Sequence, residues 1–509
     1  MNQKGRLENA IKNSVFGVIV QGINVFLGLL VRTIFIRCLS QEYLGINGLF
    51  TNILTMLSLA EMGIGTAIIY NMYKPIAVGD QVQIAKLINF YKKAYSIIGC
   101  VVAICGLCIM PFLKYILNEQ SSISNITIIY ILFLLNTVIS YFFAYKRSIF
   151  SADQRERVLH FIRLFYYIVR SGLQIAVLLI FRSFVPYLIM QIICTLLENI
   201  TVSIFADREY PFLKKYKNST LSKDETKGII ENVKALFVYK IGSTALDGTD
   251  NIIISTFDSV ISVGLLSNYS LVTGAVQLLL SQITSSLTGS VGNYVVQESS
   301  EKNEQLLERL TFFNFIIYGG AFIVLLSCLT PFITVWAGMN YVLSFSVVLV
   351  HCLNMYIYGM MNSIWTFRST MGLFMYGKWR PLVSAIVNII ISIFLAQKYG
   401  LLGVLLGTTI TRLITNVWYD PYIIYKYGLK KSVLSYYIQW FKYLIICFMV
   451  SFILKLVFGV FKLSGMSLLI ISLMISVSSF ILTVFVIFWR NEDFCYFLEL
   501  AKKLLKKLR

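Results

Sequence analysis

The chain has 509 residues, of which 57% are hydrophobic and only 13% charged, against about 25% charged in a typical soluble domain. Its mean hydropathy is +0.75, and seven prolines with no Ser/Gly-rich tract exclude an architecture of domains strung on polar linkers. A formal net charge of +20 raises the question of nucleic acid, but the basic residues are sorted by loop rather than gathered in one patch, which excludes that partner.

A helix needs about 20 mainly apolar residues to cross the hydrocarbon core. Runs of this kind lie at 14–36, 44–69, 94–113, 124–145, 164–181 and 185–206, then at 233–257, 261–289, 311–334, 342–367, 379–396, 401–425, 436–458 and 466–489. None shows the two-residue alternation of a barrel strand. Because backbone groups in hydrocarbon must pair within the protein, these runs predict helices, and the fold class is an all-α integral membrane protein of about 14 spans. The first run starts at Asn13 or Ser14 with no small-residue cleavage site after it, so a retained helix is expected rather than a signal peptide.

Most of the 44 Lys and Arg residues fall in the two tails and every second loop, while the alternate loops hold only about five. This bias predicts cytoplasmic termini and therefore an even number of spans. In the tail, Phe494, Phe497, Leu498, Ala501, Leu504, Leu505 and Leu508 recur at helical spacing, opposite Lys502, Lys503, Lys506, Lys507 and Arg509. That pattern predicts an interfacial helix on anionic membrane lipids. The loop around 207–234 is the one long polar stretch, and it holds no His/Cys cluster, phosphate loop or Ser/His/Asp arrangement. Only His160 and His351 are histidines, and Cys100, Cys105 and Cys108 sit in an apolar helix where packing accounts for them. No enzyme activity, metal or organic cofactor is expected.

Ionisable groups inside spans are costly and usually face a bundle interior or a wet cavity. Here they include Arg32, Glu61, Arg170, Glu198, Lys240, Asp247, Asp250 and Arg412. Lys455 is close enough to a helix end to snorkel. In the seventh run Lys240, Thr244, Asp247 and Asn251 share one helix face with Asp250 beside it, so that face cannot meet lipid. Two accounts stay open: an internal charge network that locks helices together, or a hydrophilic path with cations converging on an anion. Arginine suits the second, since its fork binds phosphate oxygens bidentately and stays protonated.

A weak repeat links the halves. At an offset of 219 residues Ile34 aligns with Ile253, Ser40 with Ser259, Leu44-Gly45 with Val263-Gly264 and Phe50 with Tyr269. Repeats of common orientation are related by an axis along the membrane normal. The stretch from Glu61-Met62-Gly63-Ile64-Gly65 to Tyr73-Lys74-Pro75, with Thr249–Ser255 and Val263–Tyr269, resembles the Wzx-type polysaccharide flippases of the MOP superfamily.

The resemblance implies two six-helix bundles around a central cavity followed by two extra helices. The lobes are then 1–206 and 233–428, joined by a cytoplasmic loop 207–232, with helices 13–14 in 429–490 and a basic tail 491–509. It implies a bacterial cytoplasmic-membrane protein moving an oligosaccharide on undecaprenyl diphosphate to the outer leaflet by alternating access, alongside polysaccharide polymerase and glycosyltransferases. Arg32, Arg170, Lys240 and Arg412 are the candidates for a cationic cavity, and Tyr239, Thr244, Asn251 and Asn354 for its polar lining. Glu61, Glu198, Asp247 and Asp250 are candidates for charge balance or for coupling to H+ or Na+. A MATE-type drug or cation antiporter and a lipid II flippase are the alternatives. A membrane polymerase or ligase fits less well, because its acceptor site needs a larger external loop than any here.

Overall fold

The computed structural model describes residues 3–58, 64–117, 123, 125–231, 233, 248–373, 375–460 and 464–508. Among them there are helices and connecting turns but no strand. The helices are α1 (Gln3–Cys38), α2 (Gln41–Leu57), α3 (Ile64–Val78), α4 (Gln81–Ile116), α5 (Ile126–Ala144), α6 (Arg147–Ala152), α7 (Glu156–Phe181) and α8 (Phe184–Glu209). They continue with α9 (Asp250–Phe257), α10 (Val260–Gln297), α11 (Ser300–Trp336), α12 (Phe345–Thr370), α13 (Arg380–Leu429), α14 (Leu434–Val460), α15 (Gly465–Phe488) and α16 (Glu492–Leu508).

Eleven helical stretches among the described residues are long and apolar enough to cross a membrane. The chain is a multi-span helical membrane protein. The runs expected at 44–69 and 233–257 are interrupted by residues outside the description, 59–63 and 234–247, with α2, α3 and α9 on their flanks. The runs expected at 379–396 and 401–425 are the two arms of α13, which reverses at Gly400 (φ 54°, ψ −131°), a conformation that only glycine adopts cheaply. The arms meet closely: a Cβ on Gly403 would lie 2.2 Å from the Leu395 carbonyl oxygen. Asn388 donates to the Thr408 hydroxyl at 3.1 Å, a buried polar bond that joins the two arms of the hairpin.

The chain divides into two compact units, Met1–Gly264 and Leu265–Arg509. In the first, α7 lies between α1 and α8, α8 also packs on α5, and α4 lies against both α3 and α5. Leu44, Ile46, Leu49, Phe50, Ile53 and Leu54 form the buried stripe of α2. Phe50 meets Tyr130 edge-on at 5.1 Å, and the Tyr130 hydroxyl donates to the Gly106 carbonyl at 2.9 Å, so this buried phenol is paired. The repeat-related glycines Gly45 and Gly264 pack backbone to backbone. A Cβ on Gly45 would fall 1.8 Å from the Val260 carbonyl oxygen, and one on Gly264 would fall 2.8 Å from the Gly45 nitrogen. In the second unit, α11 packs on α12, α14 and α15. The first turns of α16 dock on α11, with Phe497 stacked on Phe313 and the Arg309 guanidinium 4.4 Å from the Tyr496 ring centre.

Candidate functional site

Arg32 on α1 and Arg170 on α7 come from regions 138 residues apart in the chain, yet both act electrostatically on the phenol of Tyr187 on α8. The packing of α1, α7 and α8 as neighbours brings them together. Arg170 stands 4.9 Å above the Tyr167 ring, and the Tyr167 hydroxyl donates to the Asn24 carbonyl at 3.2 Å, which ties α7 to α1. Phe35 closes on Tyr187 edge-on at 5.5 Å. Both arginines are half-buried. Guanidiniums near one another in an apolar helix layer raise the local potential. The Tyr167 ring beneath Arg170 adds cation–π support.

Glu198 is held by Arg147, which donates to it at 2.7 Å and to the Asn199 side-chain oxygen at 2.8 Å. One residue earlier, Lys146 pairs with Asp207 and donates to the Ser203 hydroxyl at 2.8 Å. Where α7 begins, Arg155 bridges to Glu209 at 2.8 Å, and the Tyr210 hydroxyl donates to Asp153 at 2.7 Å. Burial and that bond to a carboxylate push the Tyr210 phenol well above its ordinary range.

In the second unit Arg412 donates to the Asn354 carbonyl at 2.9 Å and lies 5.8 Å from the Tyr358 ring centre. The Asn354 side chain donates to the Leu405 carbonyl at 3.0 Å and accepts from Thr409 at 3.2 Å, so its polar atoms are engaged in joining α12 to α13. His351 and the Thr273 hydroxyl are 2.9 Å apart. Asp250 and Asn251 open α9 in half-buried positions. Glu61, Tyr239, Lys240, Thr244 and Asp247 lie outside the described residues.

Sequence inspection missed a buried network in this unit. Asp420 is fully buried and receives Arg368 at 2.8 Å, Arg380 at 3.2 Å and the Trp365 ring nitrogen at 3.1 Å. Arg368 also donates to the Tyr376 carbonyl at 2.5 Å. Arg147 and Arg368 occupy matching places: each follows the fourth expected span of its half and ties to a carboxylate on the sixth. Their 221-residue separation is close to the repeat offset, which is the signal that connects them.

The lipid II flippase MurJ, in an inward closed conformation, matches with a TM-score of 0.68 and 15% identity over 94% of this chain and 99% of that one. An inward-facing multidrug resistance MATE family transporter of the MOP superfamily gives 0.58 and 14% identity, over 82% and 99% of the two chains. A Vibrio cholerae MATE transporter gives 0.53 and 14% identity, over 83% and 98%. These likenesses place the fold among MOP-superfamily transporters. No curated protein matches the sequence. Residues 10–288, more than half of the chain, match the family described as polysaccharide biosynthesis protein, and the chain belongs to that family.

Proposed function

We propose that the protein is a flippase that carries an oligosaccharide repeat unit on undecaprenyl diphosphate across the bacterial cytoplasmic membrane by alternating access. The observation that carries this is the convergence of Arg32 and Arg170 on Tyr187 within an apolar helix layer, in a member of a polysaccharide biosynthesis family. A diphosphate is the anion such a cluster suits, because each guanidinium offers a fork to phosphate oxygens. The same cluster disfavours the organic cations that a MATE-type exporter would take. Arg412 and Lys240 would extend the positive field, and Asp247, Asp250 and Glu61 would bind the coupling ion. Glu198 would serve charge balance, consistent with its bond to Arg147.

The test is deletion of the gene followed by complementation with variants, scoring lipid-linked repeat units held on the cytoplasmic face. Loss of the protein should trap them there, Arg170→Lys should retain part of the transport, and Arg170→Ala should abolish it at equal protein level. Full transport by both variants would remove Arg170 from the site. Accumulation of lipid II instead of repeat units would reassign the cargo. Transport that survives collapse of both the proton and sodium gradients would remove ion coupling.

A further inference from the structure

Along α7, Arg157, Phe161 and Phe165 recur every fourth residue, with Val158 and Ile162 beside them. Thr201 and Phe205 of α8 form the opposite wall of a channel of about 620 Å³, with Arg155 and Arg157 at its mouth. A bond of 2.8 Å between the hydroxyls of Tyr166 and Thr201 satisfies its polar groups, so the remaining lining is hydrocarbon. Phe161 and Phe165 are 65% and 54% exposed, and α7 is one of the stretches apolar enough to span the membrane. The channel therefore opens to lipid.

We infer that this channel seats one acyl chain of an anionic glycerophospholipid, with the headgroup phosphate against Arg155 and Arg157. Length and charge select that occupant. From Arg157 to Phe165 the helix rises about 12 Å, and one leaflet's hydrocarbon is about 15 Å deep. An acyl chain ends within that depth, whereas a polyprenyl chain runs well past it. At the mouth Arg155 and Arg157 set two guanidiniums against the one carboxylate of Glu209, which bonds Arg155 from α8 at 2.8 Å, and a guanidinium fork fits phosphate oxygens. The site does not depend on what cargo the protein carries, since it lies on the lipid-facing side of α7 and α8 and involves neither Arg32 nor Arg170.

The test places a reporter in the channel wall, Phe161→Trp, in the full-length protein reconstituted in phosphatidylcholine vesicles. The signal of the parent, whose six tryptophans all lie beyond residue 335, is subtracted. Phosphatidylglycerol brominated on its acyl chains should quench the new tryptophan about five-fold more strongly than brominated phosphatidylcholine at equal mole fraction, the preference expected from one arginine at a membrane surface. Arg157→Gln should abolish that preference. Arg163→Gln should leave it intact, because at 100° per residue Arg163 points away from the channel. High salt applied to the reporter protein alone should weaken the preference without any change at the mouth. Equal quenching by the two lipids, a preference that survives Arg157→Gln, or equal loss in Arg163→Gln would each overturn the assignment.

Discussion

Substituting Asp420→Asn probes the second unit at its most sensitive point. The carboxylate has no solvent exposure, and the two arginines bonded to it are only 8% and 11% exposed. The substitution keeps the shape, removes the negative charge and turns one acceptor into a donor that faces the guanidiniums. Breaking a buried ion pair by removing one partner costs about 3–5 kcal/mol. At about 2–4 °C per kcal/mol for a unit of this size, the melting midpoint should fall by about 6–20 °C. The assay is thermal unfolding of detergent-solubilised protein followed by thiol reactivity, because Cys352 and Cys447 are both fully buried in this unit and become reactive when it opens. Trp365 emission is a second readout, since its ring nitrogen donates to Asp420. Glu198→Gln is the internal comparison. Its pair with Arg147 keeps 17–26% side-chain exposure, so the loss should be several-fold smaller. A midpoint for Asp420→Asn within about 2 °C of the parent, or a Glu198→Gln variant equally damaged, would refute the reasoning.

At the contact between Gly45 and Val260, Gly45→Ala should cost well over the 1–3 kcal/mol of ordinary overpacking, and Gly264→Ala less, because its nearest atoms are about an ångström farther off. Gly22→Ala, with nothing within 4 Å, should be harmless, and melting midpoints of the three variants check the order. If Arg32 and Arg170 act as one anion site, Arg32→Ala and Arg170→Ala should each remove most transport and the double variant little more, which a transport assay of all four proteins measures. The segment after the sixth span starts with a capping box, Ser222 and Glu225 bonding reciprocally at 2.8 and 3.2 Å, and Gln83 adds a bond of 2.7 Å to the same carboxylate. These donors hold Glu225 below the usual carboxylate range. Its contribution is therefore full at neutral pH and disappears as pH falls through the lowered value. Amide exchange across 219–231, corrected for intrinsic rate, should rise at that point, and Glu225→Gln should reproduce the rise at neutral pH.

The spans were legible because membrane thickness sets their length, and length can be counted along a sequence. Embedded arginines were legible for a related reason: a charge in an apolar run is conspicuous, and Arg32 and Arg170 stood out before their convergence on Tyr187 was known. Partnership was not legible. Arg368 and Arg380 sit at span ends, where a long cation is expected to snorkel, and only the reversal at Gly400 carries Asp420 back to them. Glu198 was visible as a charge, but its partner Arg147 belongs to a short helix in what reads as a loop. Asn354 was expected to line a polar path, and the bonds from its side chain to α13 depend on a register between helices that no local pattern encodes.

The hairpin of α13 also bears on how the chain enters the bilayer. Arg380 and Asp420 stand at the open ends of its two arms and neutralise one another, while the Asn388–Thr408 bond closes the seam between them. The buried carboxylate of one arm can therefore leave the translocation machinery already paired with the arginine of the other, while Arg412 and Thr409 wait for Asn354 on α12. Arg368, arriving from α12, then finds a carboxylate already in place and fastens the hairpin to the helices inserted before it.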